Sequence, residues 1–256
     1  MKVISNLLPN QLSTLKLIST GATVGPIVDS LHNQCLLEYG KAQIDIPSFL
    51  AQTDESSYLL RTSWYIPPLL GIAYLVLGGI LPRIFNNFLE NVSPIQQISS
   101  KNQSSTTTLR DKAIYAVSST ALIIKLSEIL ETSTVFTSSE INLYIMVTAA
   151  VAQWAVLDRS LSSLLAAILV SIGGPLSELP FVAGDYWHYI PSAADYFPLK
   201  DIDIDWEVWK SIFGNDYKDL ALSSITGPCY FAVTMDAIAL GRWFDSDEIV
   251  EDDEKI

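Results

Sequence analysis

The stretch WYIPPLLGIAYLVLGGILP, from Trp64 to Pro82, runs for nineteen residues without a charge. At ~1.5 Å of rise per residue, a helix of that length crosses a ~30 Å hydrocarbon core. One such run could be a buried core helix. Five further helical runs flank it, and together they predict an all-α, six-transmembrane-helix bundle. The expected spans are about Leu12 to Leu36, Trp64 to Pro82, about Ala113 to Leu130, Ile141 to Leu157, Leu161 to Val182 and Leu220 to Leu240. Composition agrees. The 256 residues are 49% hydrophobic and 17% charged, where a soluble domain carries about a quarter charged residues.

The net charge of −13 is concentrated at one end. Residues 245–256 hold seven acids against Lys255 and read as an acidic disordered tail behind a membrane domain over 1–244. The balance excludes nucleic acid as a partner, which needs clustered Lys and Arg. Cys35 and Cys229 are too few for a disulfide framework and read as free thiols in helices.

The side carrying both ends of the chain holds nine Lys and Arg residues against five on the other side, which predicts cytosolic termini. The sequons at Asn91 and Asn102 then face the cytosol. Asn86 to Thr108, rich in Asn, Gln, Ser and Thr, reads as a flexible loop. The alternating stretch Asp201 to Trp209 (DIDIDWEVW) reads as a short strand or an interfacial segment. Pro67-Pro68 suit a first helical turn, and Gly21 and Gly25 allow close helix approach. Gly173-Gly174-Pro175 predicts a kink or break unless it serves packing alone.

Six ionisable residues fall at membrane depth: Asp29, His32, Lys125, Glu128, Glu178 and Asp236. A charge at the bilayer centre costs ~2.5–3.5 kcal/mol on insertion scales, so each should face protein or water. Three readings stand: polar contacts joining helices, the polar end of a lipid or sterol pocket, or a catalytic or translocating group. Lys125 and Glu128 lie one turn apart and can pair, as can Asp29 and His32. With two histidines in the chain, no metal site and no cofactor is expected. Asp158-Arg159-Ser160 ends the fourth span, either as a helix stop with an N-cap or as a corner for a partner protein.

Three motifs resemble the Insig (insulin-induced gene) family. Ser63-Trp64-Tyr65-Ile66-Pro67-Pro68, with Gly71 and a later Leu81-Pro82, is similar to that family's second-span opening and ending. Leu157-Asp158-Arg159-Ser160-Leu161-Ser162 is similar to its Asp-Arg-Ser corner. Gly227-Pro228-Cys229-Tyr230-Phe231-Ala232, followed by Gly241-Arg242, resembles its Pro-Cys-x-x-Phe-Ala and closing Gly-Arg. Val233 and Thr234 stand where the family has a Gly-Gly pair.

The resemblance implies a non-enzymatic membrane protein, with both termini cytosolic, that binds a sterol or a diacylglycerol-type lipid among its helices. It further implies a membrane protein partner met in a lipid-dependent way, residence in the endoplasmic reticulum, and a partner-binding corner at Asp158, Arg159 and Ser160. Gly25-Pro26 through His32 is similar to plant and algal members, so a plastid membrane is the alternative. Lining candidates for the lipid are Trp64, Tyr65, Gly71, Tyr74, Trp154, Tyr230 and Phe231. The other functional class is a membrane enzyme or carrier using Asp29, His32, Glu178 and Asp236, which requires those four to converge.

Overall fold

The computed structural model describes residues 7–47, 58–92, 106–202, 207–214 and 217–253. Helices dominate. In chain order they are α1 (Gln11–Leu36), α2 (Ile66–Tyr74), α3 (Leu81–Val92), α4 (Thr106–Thr132), α5 (Ser139–Leu157), α6 (Leu161–Ala183), a short α7 (Glu207–Phe213) and α8 (Thr226–Asp253). A π-helical turn, Leu75–Ile80, joins α2 to α3, so the second run continues as one rod from Ile66 to Val92. All six expected spans therefore fall on long helical segments. Four of these rods, within 66–90, 108–132, 139–157 and 161–183, are long and apolar enough to cross a membrane.

Local chemistry sets the ends. Asn10 caps α1 by accepting from Ser13 N at 2.7 Å. Pro67 and Pro68 occupy the first turn of α2, where a missing N–H costs nothing. α8 begins at Thr226, later than the expected Leu220, because Pro228 belongs in a first turn and Leu222 is engaged in a β-bridge with Tyr196. α6 runs unbroken through Gly173-Gly174-Pro175, against the expected break.

Other expectations also need correction. The fold is not purely helical. β1 (Leu37–Tyr39) pairs antiparallel with β4 (Trp187–Tyr189), and β2 (Gln43–Pro47) with β3 (Tyr58–Ser63). These strands gather the polar connections into a cap over one end of the bundle. The strand expected at 201–209 is absent from the described part, which is helical from Glu207. The acidic stretch expected as a disordered tail is helical as far as Asp253, and its first acid, Asp245, is ion-paired with Arg83. The loop expected over Asn86 to Thr108 is helical at both ends, in α3 as far as Val92 and in α4 from Thr106, while residues 93–105, including Asn102, lie outside the described residues. Cys35 lies in α1, and Cys229 is a buried free thiol.

α8 is the axis of the bundle. It packs on α1, α4, α5, α6 and the π turn. Ala232, Met235, Asp236, Ala237 and Ile238 on it are sealed from solvent. The surrounding helices keep large apolar residues outward, such as Leu122, Tyr144, Val156 and Ile172. The closest approach is backbone to backbone. A Cβ on Gly78 would lie 2.2 Å from Ala237 O, and one on Gly241 would lie 2.3 Å from Gly78 O. Only glycine fits such a crossing.

Candidate functional site

α5 ends at Leu157, and the chain turns through Arg159 in the left-handed region (φ 61°) before Ser160 caps α6. Ser163 N donates to Ser160 Oγ at 3.3 Å. Ser160 Oγ donates to Asp158 Oδ2 at 2.9 Å, and Trp154 Nε1 donates to Ser160 O at 3.1 Å. Arg242 reaches across from α8: Nη1 donates to Asp158 Oδ1, and Nη2 lies 3.3 Å from Ser160 Oγ. The Asp158 side chain is only 9% exposed. Burial pushes its carboxyl up, but the Arg242 guanidinium outweighs this and holds it below the usual aspartate range. Asp158 and Ser160 thus tie the corner to α8, while Arg159 points outward and bonds Ala155 O. Beside this latch is a small cavity of about 30 Å³, bordered by Lys112, Asp158 and Arg242 with Leu109, Leu157 and Ile238.

The residues at membrane depth take separate partners. Asn33 donates to Asp29, and also to Tyr39 Oη at 2.9 Å. His32 Nδ1 lies 2.7 Å from Ser127 Oγ, leaving Nε2 buried and without a hydrogen-bond partner among the described residues. Lys125 pairs with Glu128 one turn away on α4, as the spacing implied. Tyr189 Oη donates to Glu178 at 2.9 Å and lies 3.0 Å from Thr226 Oγ1. Tyr74 Oη donates to Asp236 Oδ2 at 2.7 Å, and Asp236 Oδ1 has no hydrogen-bond partner among the described residues. Asp29 and Glu178 are near enough for their charges to interact. No hydrogen bond among the described residues links Asp29, His32, Glu178 and Asp236 to one another.

The seven aromatic and glycine candidates also disperse. Trp64 precedes the helix and is 74% exposed. Tyr65 belongs to the cap, donating to Tyr186 O at 2.6 Å and stacking on Trp187. Gly71 sits at the crossing with α1, where a Cβ would lie 3.0 Å from Ile18 O. Tyr74 is buried with Asp236. Trp154 holds the corner. Tyr230 packs against Gly174, and Phe231 against Ala150, Ala167 and Met235. None of the seven borders the corner cavity.

Two residues there were not singled out by sequence reasoning as a site. Arg242 stood in the closing Gly-Arg motif but was not matched to Asp158. Lys112 counted only toward the charge balance. A pairing signal existed: both Asp158 and Arg242 fall on the same predicted side of the membrane.

The family model for insulin-induced protein (INSIG) matches residues 12–243. No curated protein matches in sequence. Two crystal structures share the fold. A cross-linked trimer of an MvINS cysteine variant superposes with a TM-score of 0.56 at 16% identity, covering 93% of this chain and 96% of that one. The mycobacterial Insig homolog MvINS from Mycobacterium vanbaalenii superposes with a TM-score of 0.54 at 16% identity, covering 91% and 94%. With apolar helices of membrane-crossing length and a family match over most of its sequence, the chain belongs to the INSIG family of membrane proteins.

Proposed function

We propose that this protein is a non-enzymatic, lipid- or sterol-binding regulator that spans the membrane six times, with both termini in the cytosol. In this reading it resides in the endoplasmic reticulum membrane and engages a membrane protein partner in a lipid-dependent way. α1 and α8 complete the six spans although they are less apolar, because neighbouring helices shield their polar residues from lipid. The partner meets the corner between α5 and α6. Arg159 is the reachable group there, and Asp158 acts by fixing the corner's shape through Arg242.

One observation carries this reading: the match to the insulin-induced protein family over residues 12–243, on helices of membrane-crossing length. Glycine crossings bring the helices together at the level of backbone. Gly78 lies against Ala237, and a Cβ on Gly21 would lie 2.5 Å from Leu70 O. A lipid pocket commonly holds about 300–1,000 Å³. A lipid binding at such a crossing parts the helices and so selects a different conformation. The non-enzymatic part of the reading follows the family match.

Lipid retained through mild-detergent purification is identified by mass spectrometry, and a sterol and a diacylglycerol are then titrated back. Saturable binding of either, with a change in thermal stability, is the expected result. If no lipid is retained and none binds, the reading fails. Gly71→Val is expected to shift the conformational balance by wedging α1 from α2, so it does not report on contact with ligand.

A further inference from the structure

We propose that the corner cavity between α4, the α5–α6 turn and α8 is a binding site for the phosphate group of an anionic phospholipid, with Lys112 and Arg242 as its ligands. Lys112 borders the cavity, is partly buried, and has no hydrogen bond or ion pair among the described residues. A partly shielded ammonium that no carboxylate engages favours an anion. Arg242 is different, because it is already held in place. Asp158 Oδ1 and Ser160 Oγ fix its guanidinium while occupying only part of its five-donor fork. Two cations against one carboxylate leave the site positive, and that carboxylate is already engaged by Arg242.

The surroundings choose the source of the phosphate. Leu109, Leu157 and Ile238 give the cavity an apolar side. Lys112 lies in the second turn of the apolar run that starts at Thr108, and Leu157 ends the next apolar run. The site therefore sits where headgroups meet acyl chains. Basic pockets between transmembrane helices at that level take anionic headgroups. The room of about 30 Å³ admits headgroup oxygens at the mouth, with the chains running down the outer apolar side. This site is independent of the interior sterol or diacylglycerol reading. Its ligand is charged, and none of the seven lining candidates borders the cavity.

The test uses the full-length protein in mild detergent, with native mass spectrometry against phosphatidylglycerol and phosphatidylcholine of matched chains. Phosphatidylglycerol is expected to bind in preference. Lys112→Gln is expected to weaken it about fivefold, Lys112→Arg to restore it, and phosphatidylcholine to be unaffected. The unchanged melting temperature expected of Lys112→Gln, which breaks no internal contact, separates lost binding from lost folding. Wild-type retention in Lys112→Gln, or equal binding of both lipids, overturns the proposal. Inorganic phosphate displacing the lipid at equal concentration assigns the site to free phosphate and overturns the lipid assignment. So does an acidic peptide that binds where phosphatidylglycerol does not. A lipid-free interior in the same spectra would defeat the regulator reading alone and leave this one standing.

Discussion

At the Arg242 end of α8 a carboxylate is met by a guanidinium. At the Thr226 end, Glu178 is met by the phenol of Tyr189, which Thr226 steadies. Both carboxyls are shielded, Asp158 at a side-chain exposure of 9% and Glu178 at a residue exposure of 7%. The difference follows from depth. Near the membrane boundary an arginine can keep part of its fork in water, so an ion pair loses less hydration than one buried outright. Within the span a second full charge would add its own desolvation cost, and a hydroxyl satisfies the carboxyl without it.

The comparison breaks most visibly at Arg242. Arg242→Met leaves Asp158 shielded without its counter-charge. Orphaning a fully buried partner costs ~3–5 kcal/mol, and Arg242 at 35% exposure reduces this to about 2 kcal/mol. Thermal unfolding in detergent should show the loss. Its pH dependence supplies a sign. The Asp158 carboxyl titrates lower when folded than unfolded, so the stabilisation is complete above the ordinary aspartate value of about 3.9. It disappears only as pH falls through the lower, folded value. A gap between wild type and Arg242→Met that closes near neutral pH would refute the pairing.

At the other end, the identity of the acceptor should matter more than its acidity. Glu178→Gln still accepts from Tyr189 and is expected to change stability by under about 1 kcal/mol. Glu178→Leu strands buried hydroxyls and is expected to cost ~1–3 kcal/mol. Equal losses from the two substitutions would show that charge decides here too.

The smallest effect sharpens the geometry around that end. A Cβ on Gly174 would meet the Tyr230 ring at 2.5 Å, whereas one on Gly173 meets nothing within 4 Å. Gly174→Ala is expected to destabilise by ~1 kcal/mol, and Gly173→Ala to stabilise by ~0.5–1 kcal/mol. Melting curves of the two variants should move in opposite directions.

The helices were legible because uncharged runs longer than a bilayer leave the backbone few alternatives. Pro67-Pro68 marked the start of α2 correctly. Other features were hidden for identifiable reasons. Leu75–Ile80 is apolar throughout, so no polar periodicity marks its change of winding. The cap strands are short pieces within polar connections, and β1 finds β4 about 150 residues further along the chain. The corner motif was visible at Asp158, but its partner lies 84 residues away, a relation that spacing does not encode. Tyr189 escaped notice because it lies in the short strand β4, outside the apolar runs, whereas its acceptor Glu178 stood out as a charge within one.

The π turn at Leu75–Ile80 has a consequence for azimuth. In an uninterrupted α-helix, residues five apart point about 140° away from one another. Bonding from i to i+5 narrows that angle. Gly78 and Arg83, five apart, both address α8, the first at Ala237 and the second at Asp245. The wider winding thus works as a phase corrector, letting one rod dock a bare backbone and a cation onto the same neighbour.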